Sequence, residues 1–173
     1  MDFDFSAEER EFIRQVAQFL KENESRDVMD VSRENMAQVC DTPARRAFMK
    51  KIAERGWLGI TWPREHGGQD GSGIYEYLLN EMLSAVGAPG IGKGVGIVGK
   101  TLINVGSEKL KQEFLPKILN AEIEFAVGYS EPGAAPPESG GLARAARALL
   151  LRADVAGTLV VLRTPPGGAP SLA

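Results

Sequence analysis

Cysteine and histidine are almost missing from this sequence, which has one of each, Cys40 and His66. A single cysteine cannot form a disulfide within the chain, and this pair is too few for a zinc site of Cys and His ligands. Metal sites built from carboxylates alone stay open. We therefore expect no structural disulfide and no metal ion held by Cys and His.

The chain also lacks an excess of positive charge and a long apolar run. Lys and Arg number 20 against 23 Asp and Glu, giving a formal net charge of −3. Nucleic acids and anionic membranes attract clustered positive charge, so neither partner is expected. No apolar run approaches the roughly 20 residues that span a bilayer, and the N-terminus, MDFDFSAEER, is acidic where a secretory signal is basic. These features predict a cytoplasmic protein.

Helix signals, in contrast, are frequent over the first 120 residues. Ser6 and Glu9 have capping-box spacing, and Thr42 with Pro43 predicts a second helix that ends at Gly56. A third helix is predicted to end at Gly87 and a fourth, rich in glycine, to follow it. The apolar residues that recur at helical spacing in these four helices are Phe12, Ile13, Val16, Phe19, Leu20, Phe48, Met49, Ile52, Ala53, Ile74, Leu78, Met82, Leu83, Val86, Val95, Val98, Leu102 and Ile103.

The segments between these helices read as loops. Residues 24–41 predict a loop with a short helical piece, and residues 57–73 an ordered turn and loop. Trp57 and Trp62 could line a ligand pocket, but tryptophans beside glycines favour packing at a helix crossing. His66 could act as an acid or base, but no motif places a second titratable group near it, so a solvated loop histidine is expected.

The residues GVGIVGKT, from Gly94 to Thr101, match the phosphate-binding pattern G-x-x-x-x-G-K-T. In a P-loop, Lys100 would reach the phosphates and Thr101 would bind magnesium. That mechanism needs a strand before the glycines, and the sequence shows a helical pattern there instead. A P-loop nucleotide binder through Gly94–Thr101 therefore remains an alternative to a buried, glycine-containing helix.

The stretch from Gly106 to Pro132, GSEKLKQEFLPKILNAEIEFAVGYSEP, changes its apolar period halfway. It predicts a helix capped by Ser107, interrupted by Pro116 and ended by Asn120 in a left-handed conformation. Alternating apolar residues then predict a strand over residues 123–129. The strand would carry Ser130 and Pro132 to its end, where a loop can approach a ligand closely.

These motifs resemble the acyl-CoA dehydrogenase family. The helix ending in Leu-Pro, the Ala-Glu-Ile-Glu turn and the strand running into Ser-Glu-Pro are similar to the junction between that family's N-terminal helical domain and its β-domain. GWLGITWPREHGG, from Gly56 to Gly68, is similar to a second family signature. The resemblance covers residues 1–132, and among family members it is greatest for bacterial ones that handle bulky acyl-CoAs such as steroid side chains or dicarboxylates.

The resemblance implies a flavoenzyme that uses FAD to oxidise the α,β bond of an acyl-CoA thioester. It implies that Ser130 lies beside the flavin, and that Tyr129 and Val127 face flavin and substrate. The family's catalytic glutamate lies in a C-terminal helical domain, and no glutamate of this chain matches it, so no catalytic residue is assigned. The family likeness also implies a homo- or hetero-oligomer for the intact member.

The likeness stops after Pro132, where the family continues with Gly, Ser or Thr, and Asp that hold the flavin. This chain reads Gly-Ala-Ala-Pro-Pro instead, and residues 133–173 contain no Lys, Asn, Gln, Ile, Met, His or aromatic residue. We interpret this as a truncated or frame-shifted member that lacks activity alone. The alternatives are a genuine variable tail, and a non-catalytic subunit or interaction module.

The predicted fold is mainly α, a bundle of four to six helices followed by an orphan strand and a poorly ordered tail. The predicted boundaries are residues 1–121 for the acyl-CoA dehydrogenase-like helical domain, 122–132 for the first strand of the β-domain, and 133–173 for the divergent tail.

Overall fold

The computed structural model describes residues 4–32, 40 and 42–125. Its five α-helices are α1 (Ala7–Glu22), α2 (Pro43–Glu54), α3 (Gly73–Ala85), α4 (Lys100–Val105) and α5 (Glu108–Leu119). A π-helical segment, Gly94–Gly99, runs directly into α4, and two 3-10 turns, Trp57–Gly59 and Arg64–His66, lie between α2 and α3. The described residues contain no β-strand. The predicted helical bundle is confirmed.

The longer helices begin where hydroxyl side chains can cap them. Ser6 accepts a hydrogen bond from the Glu9 amide while the Glu9 carboxylate accepts one from the Ser6 amide, so the predicted capping box is present. Thr42 caps α2 as predicted, Ser72 caps α3 and Ser107 caps α5. Each cap satisfies an amide that the first helical turn leaves unpaired.

The core of the described residues is an apolar cluster that joins the five α-helices, the π-helical segment and the turn Trp57–Gly59. Val16 of α1, Ile52 of α2 and Leu83 of α3 are fully buried. Both tryptophans pack in this core, as predicted: Trp57 is 6% exposed and Trp62 is 1% exposed. The Trp57 ring meets Phe12 and Phe19 edge to face, with ring centroids 5.7 and 5.3 Å apart, so aromatic packing ties the first turn to α1.

A buried arginine connects the loop after α1 to the end of α3. Arg45 is 2% exposed, and its guanidinium donates hydrogen bonds to the Val28 carbonyl at 2.7 Å and the Gly87 carbonyl at 3.5 Å. Gly87 has φ +68°, and a Cβ there would lie 2.2 Å from the Asp30 carbonyl carbon. Glycine is therefore required at this crossing. Residues 24–32 contain no helix, and the rest of the range 24–41 in which a short helical piece was predicted lies, except for residue 40, outside the described residues.

Two predictions about α5 are wrong. Pro116 does not interrupt the helix, which continues to Leu119, and the Asn120 amide still bonds to the Pro116 carbonyl at 3.0 Å. Pro116 and Gln112 are exposed, so water can reach the carbonyl that the proline leaves without a donor. Asn120 has φ −87°, and Ala121, with φ +52°, makes the left-handed turn instead.

His66, expected to be a solvated loop histidine, is half-buried. The imidazole side chain is only 17% exposed, because the 3-10 turn Arg64–His66 lies beside α5. Of the strand predicted over residues 123–129, the described residues 123–125 are not in a strand. The rest of that strand and the divergent tail lie outside the described residues. No helix in the described ranges is long and apolar enough to cross a membrane.

Candidate functional site

The flavin-contacting residues expected from the family likeness, Val127, Tyr129 and Ser130, lie outside the described residues. The structure therefore brings none of them to a site and leaves their roles as predictions. The last described residues, 122–125, lead toward them, so the packing of these four residues and the π-helical segment form the candidate functional region.

The π-helical segment carries the glycine motif, and its geometry does not suit a P-loop. Residues Gly94–Gly99 are helical and continue into α4, so their amides point along a helix axis instead of converging on a phosphate. The Lys100 ammonium lies 3.2 Å from the Glu76 carboxylate, and Thr61 donates a hydrogen bond to the same carboxylate at 2.5 Å. The described residues thus give the P-loop alternative no support.

Trp62 packs against one side of the π-helical segment. Its Nε1 donates a hydrogen bond to the Val95 carbonyl at 3.3 Å. A Cβ at Gly99 would lie 2.0 Å from Cζ2 of the same indole, so the helix backbone rests directly on the ring. This contact explains why a glycine follows Val98, since any larger residue would push the helix off the tryptophan.

The opposite face of the segment is open. Cβ atoms built on Gly92 and Gly96 would meet no described atom within 4 Å, and the Ile97 side chain is 37% exposed. Gly92 lies just before the helical segment and Gly96 lies within it, and the Gly96 amide donates a hydrogen bond to the Gly92 carbonyl at 3.3 Å, so the two glycines are close neighbours. The result is a smooth, largely apolar surface on which another group can approach the backbone closely.

Residues 122–125 return the chain to this segment. Phe125 is 7% exposed, its ring centroid lies 6.3 Å from that of Phe114, and a Cβ at Gly94 would meet the Phe125 ring at 3.0 Å. Sequence reasoning assigned Phe125 only to a strand face and gave no signal of its contact with Gly94.

Glu124 holds the same segment to the loop before α2. Its carboxylate accepts a hydrogen bond from the Cys40 amide at 3.1 Å. Burial raises the pKa of the Cys40 thiol far above its ordinary range, and the nearby Glu124 carboxylate, by its charge and hydrogen bond, raises that pKa further. Cys40 is therefore a neutral, buried thiol and not a nucleophile.

The described residues were expected to hold no metal ion through Cys and His, and their carboxylates are also scattered. No group of three or more His, Cys, Asp or Glu side chains in the described part of the chain could hold a metal.

Comparison with known proteins places this fold. Residues 6–122 match the family model described as acyl-CoA dehydrogenase, N-terminal domain. Acyl-CoA dehydrogenase FadE29 of Mycobacterium tuberculosis is 33% identical over 134 residues, 78% of this chain and 34% of that protein. The mitochondrial isovaleryl-CoA dehydrogenase of Pongo abelii is 33% identical over 133 residues, 75% of this chain and 30% of that protein.

Solved structures agree with these relatives. The Tcur3481-Tcur3483 steroid ACAD has a TM-score of 0.64 and 34% identity, covering 78% of this chain and 34% of that one. An acyl-CoA dehydrogenase from Geobacillus kaustophilus has a TM-score of 0.59 and 28% identity, with the same coverages. This chain therefore spans about a third of the length of these relatives. The family match extends over most of its length, and the chain belongs to the acyl-CoA dehydrogenase family, as the family's N-terminal helical domain.

Proposed function

We propose that this domain works in the FAD-dependent oxidation of the α,β bond of an acyl-CoA thioester. The observation that supports this proposal is the family match over residues 6–122, together with a helical fold shared with solved acyl-CoA dehydrogenases. No described contact favours a role as a non-catalytic interaction module.

The part of the domain that we assign to substrate is the open face of the π-helical segment. Gly92, Gly96 and Ile97 form a surface on which no side chain of the described residues lies above the two glycines. In the family that this chain resembles, the corresponding helix lies near the acyl pocket. The acyl group then lies against this face, and the missing side chains leave room for a wide one. The similarity to the Tcur3481-Tcur3483 steroid ACAD supports a bulky acyl group.

The flavin, when bound, supplies the acceptor for the hydride that leaves the β-carbon. Val127, Tyr129 and Ser130 are the residues proposed to contact it, and no glutamate of the chain is assigned as the base. The described residues contribute a wall for the acyl group and no group that moves a proton. We therefore propose that the 173-residue polypeptide alone does not oxidise acyl-CoA.

The absence of independent flavin chemistry can be tested by incubating the purified chain with FAD, desalting it and recording its absorbance. Bound flavin absorbs at about 370 and 450 nm in any flavoprotein, since the chromophore belongs to the cofactor. We expect a colourless protein. Retained flavin that is bleached by an acyl-CoA would show that the polypeptide has activity of its own and would overturn this part of the proposal.

The acyl-binding face can be tested through Trp62, which lies directly beneath it. Titration with a long-chain acyl-CoA is expected to change tryptophan fluorescence saturably, whereas free CoA is expected to leave it unchanged. Gly96→Leu places a side chain on the face and should abolish the response. Lys109→Leu, an exposed change on α5, is the matched control. An equal response to CoA, or an unchanged response in Gly96→Leu, would contradict the assignment.

Assembly is the last part of the proposal. The similar structure Tcur3481-Tcur3483 steroid ACAD is named for two proteins. We propose that the protein of which this domain is part forms a homo- or hetero-oligomer. Light scattering at several concentrations tests this for the chain itself: a fixed mass above the monomer supports assembly, and a monomer at every concentration contradicts self-association.

A further inference from the structure

A concave surface lies away from the π-helical segment. It is a cleft of about 710 Å³ between the end of α2, the two 3-10 turns and α5. None of its lining residues comes from residues 91–105, so the cleft is separate from the face assigned to the acyl group. Its volume falls within the range of small-molecule sites.

The floor of this cleft is apolar and rigid. Leu58 is 3% exposed and Leu115 is 2% exposed. Leu119 completes the floor, and it lies so close to two turn glycines that a Cβ at Gly59 or Gly67 would approach its methyl carbons to 2.6 or 2.9 Å. Both turns are therefore packed against α5, and the apolar surface left open to the cleft is that of Leu119, above the almost completely buried Leu58 and Leu115.

The wall of the cleft carries two nitrogen-bearing side chains, Lys111 and His66, each only 17% exposed. The Lys111 ammonium has three donors, and Glu108 accepts one of them at 3.0 Å. The His66 Nε2 atom is 3.7 Å from the Glu65 carboxylate, too far for a hydrogen bond. These two groups thus have hydrogen-bonding capacity to offer a ligand in the cleft.

The charges of the cleft disfavour a ligand with two negative charges more than a ligand with one. Glu65 and Glu108 are 77% and 76% exposed, so water screens them at the rim, whereas the Lys111 side chain is half-buried in the wall. A dianion such as a phosphate ester would meet one ammonium and two carboxylates, which disfavours it. A carboxylate needs only one ammonium and one hydrogen-bond donor.

We propose that this cleft binds a small aliphatic monocarboxylate. Its carboxylate accepts hydrogen bonds from Lys111 and His66, and its hydrocarbon chain lies on Leu58, Leu115 and Leu119. The site is independent of the function proposed above, because none of its residues belongs to the acyl-binding face.

The test is a two-dimensional amide NMR titration of the full 173-residue chain with hexanoate. We expect saturable shifts of the Gly59, Gly67 and Leu119 amides at millimolar ligand. Hexanol, which has the same hydrocarbon chain without the charge, should produce weaker and non-saturating shifts. Lys111→Met keeps the length of the side chain and removes its charge, and it should weaken hexanoate binding about tenfold or more.

Two further variants make the result decisive. Lys109→Met changes an exposed lysine of the same helix that does not line the cleft, and binding should be unchanged. His66→Gln keeps a hydrogen-bond donor but changes its position, so it should weaken hexanoate binding. If Lys111→Met does not fold, this variant still tests the proposal. Shifts that do not saturate, equal affinity for hexanol, or unchanged affinity in both cleft variants would overturn the proposal.

Discussion

Two glycines of the π-helical segment have opposite surroundings and should respond oppositely to the same substitution. Gly99→Ala forces a Cβ into the buried Trp62 ring, 2.0 Å from Cζ2, and should lower the free energy of unfolding by about 1–3 kcal/mol or more. The Cβ that Gly96→Ala adds meets no described atom within 4 Å. This change should raise the free energy of unfolding by up to about 1 kcal/mol, because alanine favours a helix more than glycine does. Urea denaturation followed by circular dichroism measures both, and equal effects would contradict the close contact with Trp62.

Cys40 should make the stability of the protein fall at alkaline pH. In the unfolded state the Cys40 thiol has a pKa of about 8.5. In the folded state its pKa is higher, because burial and the Glu124 carboxylate disfavour the thiolate. The unfolded state therefore loses the proton first, and the free energy of unfolding declines above about pH 8.5 by up to about 1.4 kcal/mol per pH unit. Below that pH this contribution is fully present.

The measurement compares urea unfolding of the unaltered protein and Cys40→Ala at several pH values between neutral and mildly alkaline. Lysines and tyrosines titrate in both proteins, so the difference between the two curves isolates the thiol. A difference that stays constant across this range would show that Cys40 ionises equally well in the folded and unfolded states.

At the scale of residues, local signals were readable from the sequence and distant contacts were not. The capping box of Ser6 and Glu9 depends on three-residue spacing, and it is present in the structure. The half-buried environment of His66 depends on α5, more than forty positions later, and no pattern near His66 indicated it. For the same reason the contact between Gly99 and Trp62 could not be foreseen.

At the scale of elements, Phe125 should be decisive for holding residues 122–125 to the bundle. Its side chain is 7% exposed and packs on Phe114 and Gly94, so Phe125→Ala should cost about 3–5 kcal/mol of unfolding free energy. Glu122→Ala, an exposed change in the same segment, should remain within about 0.5 kcal/mol of the unaltered protein. Similar effects from both changes in urea denaturation would contradict docking through Phe125.

The helices themselves were predictable because period and caps are local properties of the sequence. What could not be predicted was the helix type of residues 94–99, since glycine-rich sequence fits an α-helix and a π-helix alike. The end of α5 was also mispredicted. Proline and asparagine are general stop signals, but in α5 the proline is solvent-exposed and Ala121 adopts the left-handed conformation.

At the scale of the whole molecule, the single core predicts one cooperative unfolding transition. The cluster of buried residues extends from Val16 in α1 to Phe125, and both tryptophans belong to it. Tryptophan fluorescence and far-ultraviolet circular dichroism should therefore give the same urea midpoint. Two separated midpoints would show that α1 to α3 and the segment from Gly94 onward unfold independently.

The helical domain and its family were readable from motifs spread over residues 6–122, which the family match confirms. The candidate flavin residues were not reachable in the same way. Val127, Tyr129 and Ser130 were assigned from likeness alone and remain predictions. The described residues instead draw attention to the open glycine face and to the cleft beside α5, both of which depend on packing between distant parts of the chain.

The π-helical segment also bears on how this sequence can change by insertion and deletion. A π turn closes with one residue more than an α turn, and each residue of an α-helix turns the chain by about 100°. Elsewhere in α1 to α5, losing a codon would rotate every later side chain out of its place. Within Gly94–Gly99 a lost codon would convert the wide turn to an α turn and keep Leu102 in the core and Lys100 beside Glu76. Among the described helices, this segment is therefore where a change of helix length should least disturb the packing that follows it.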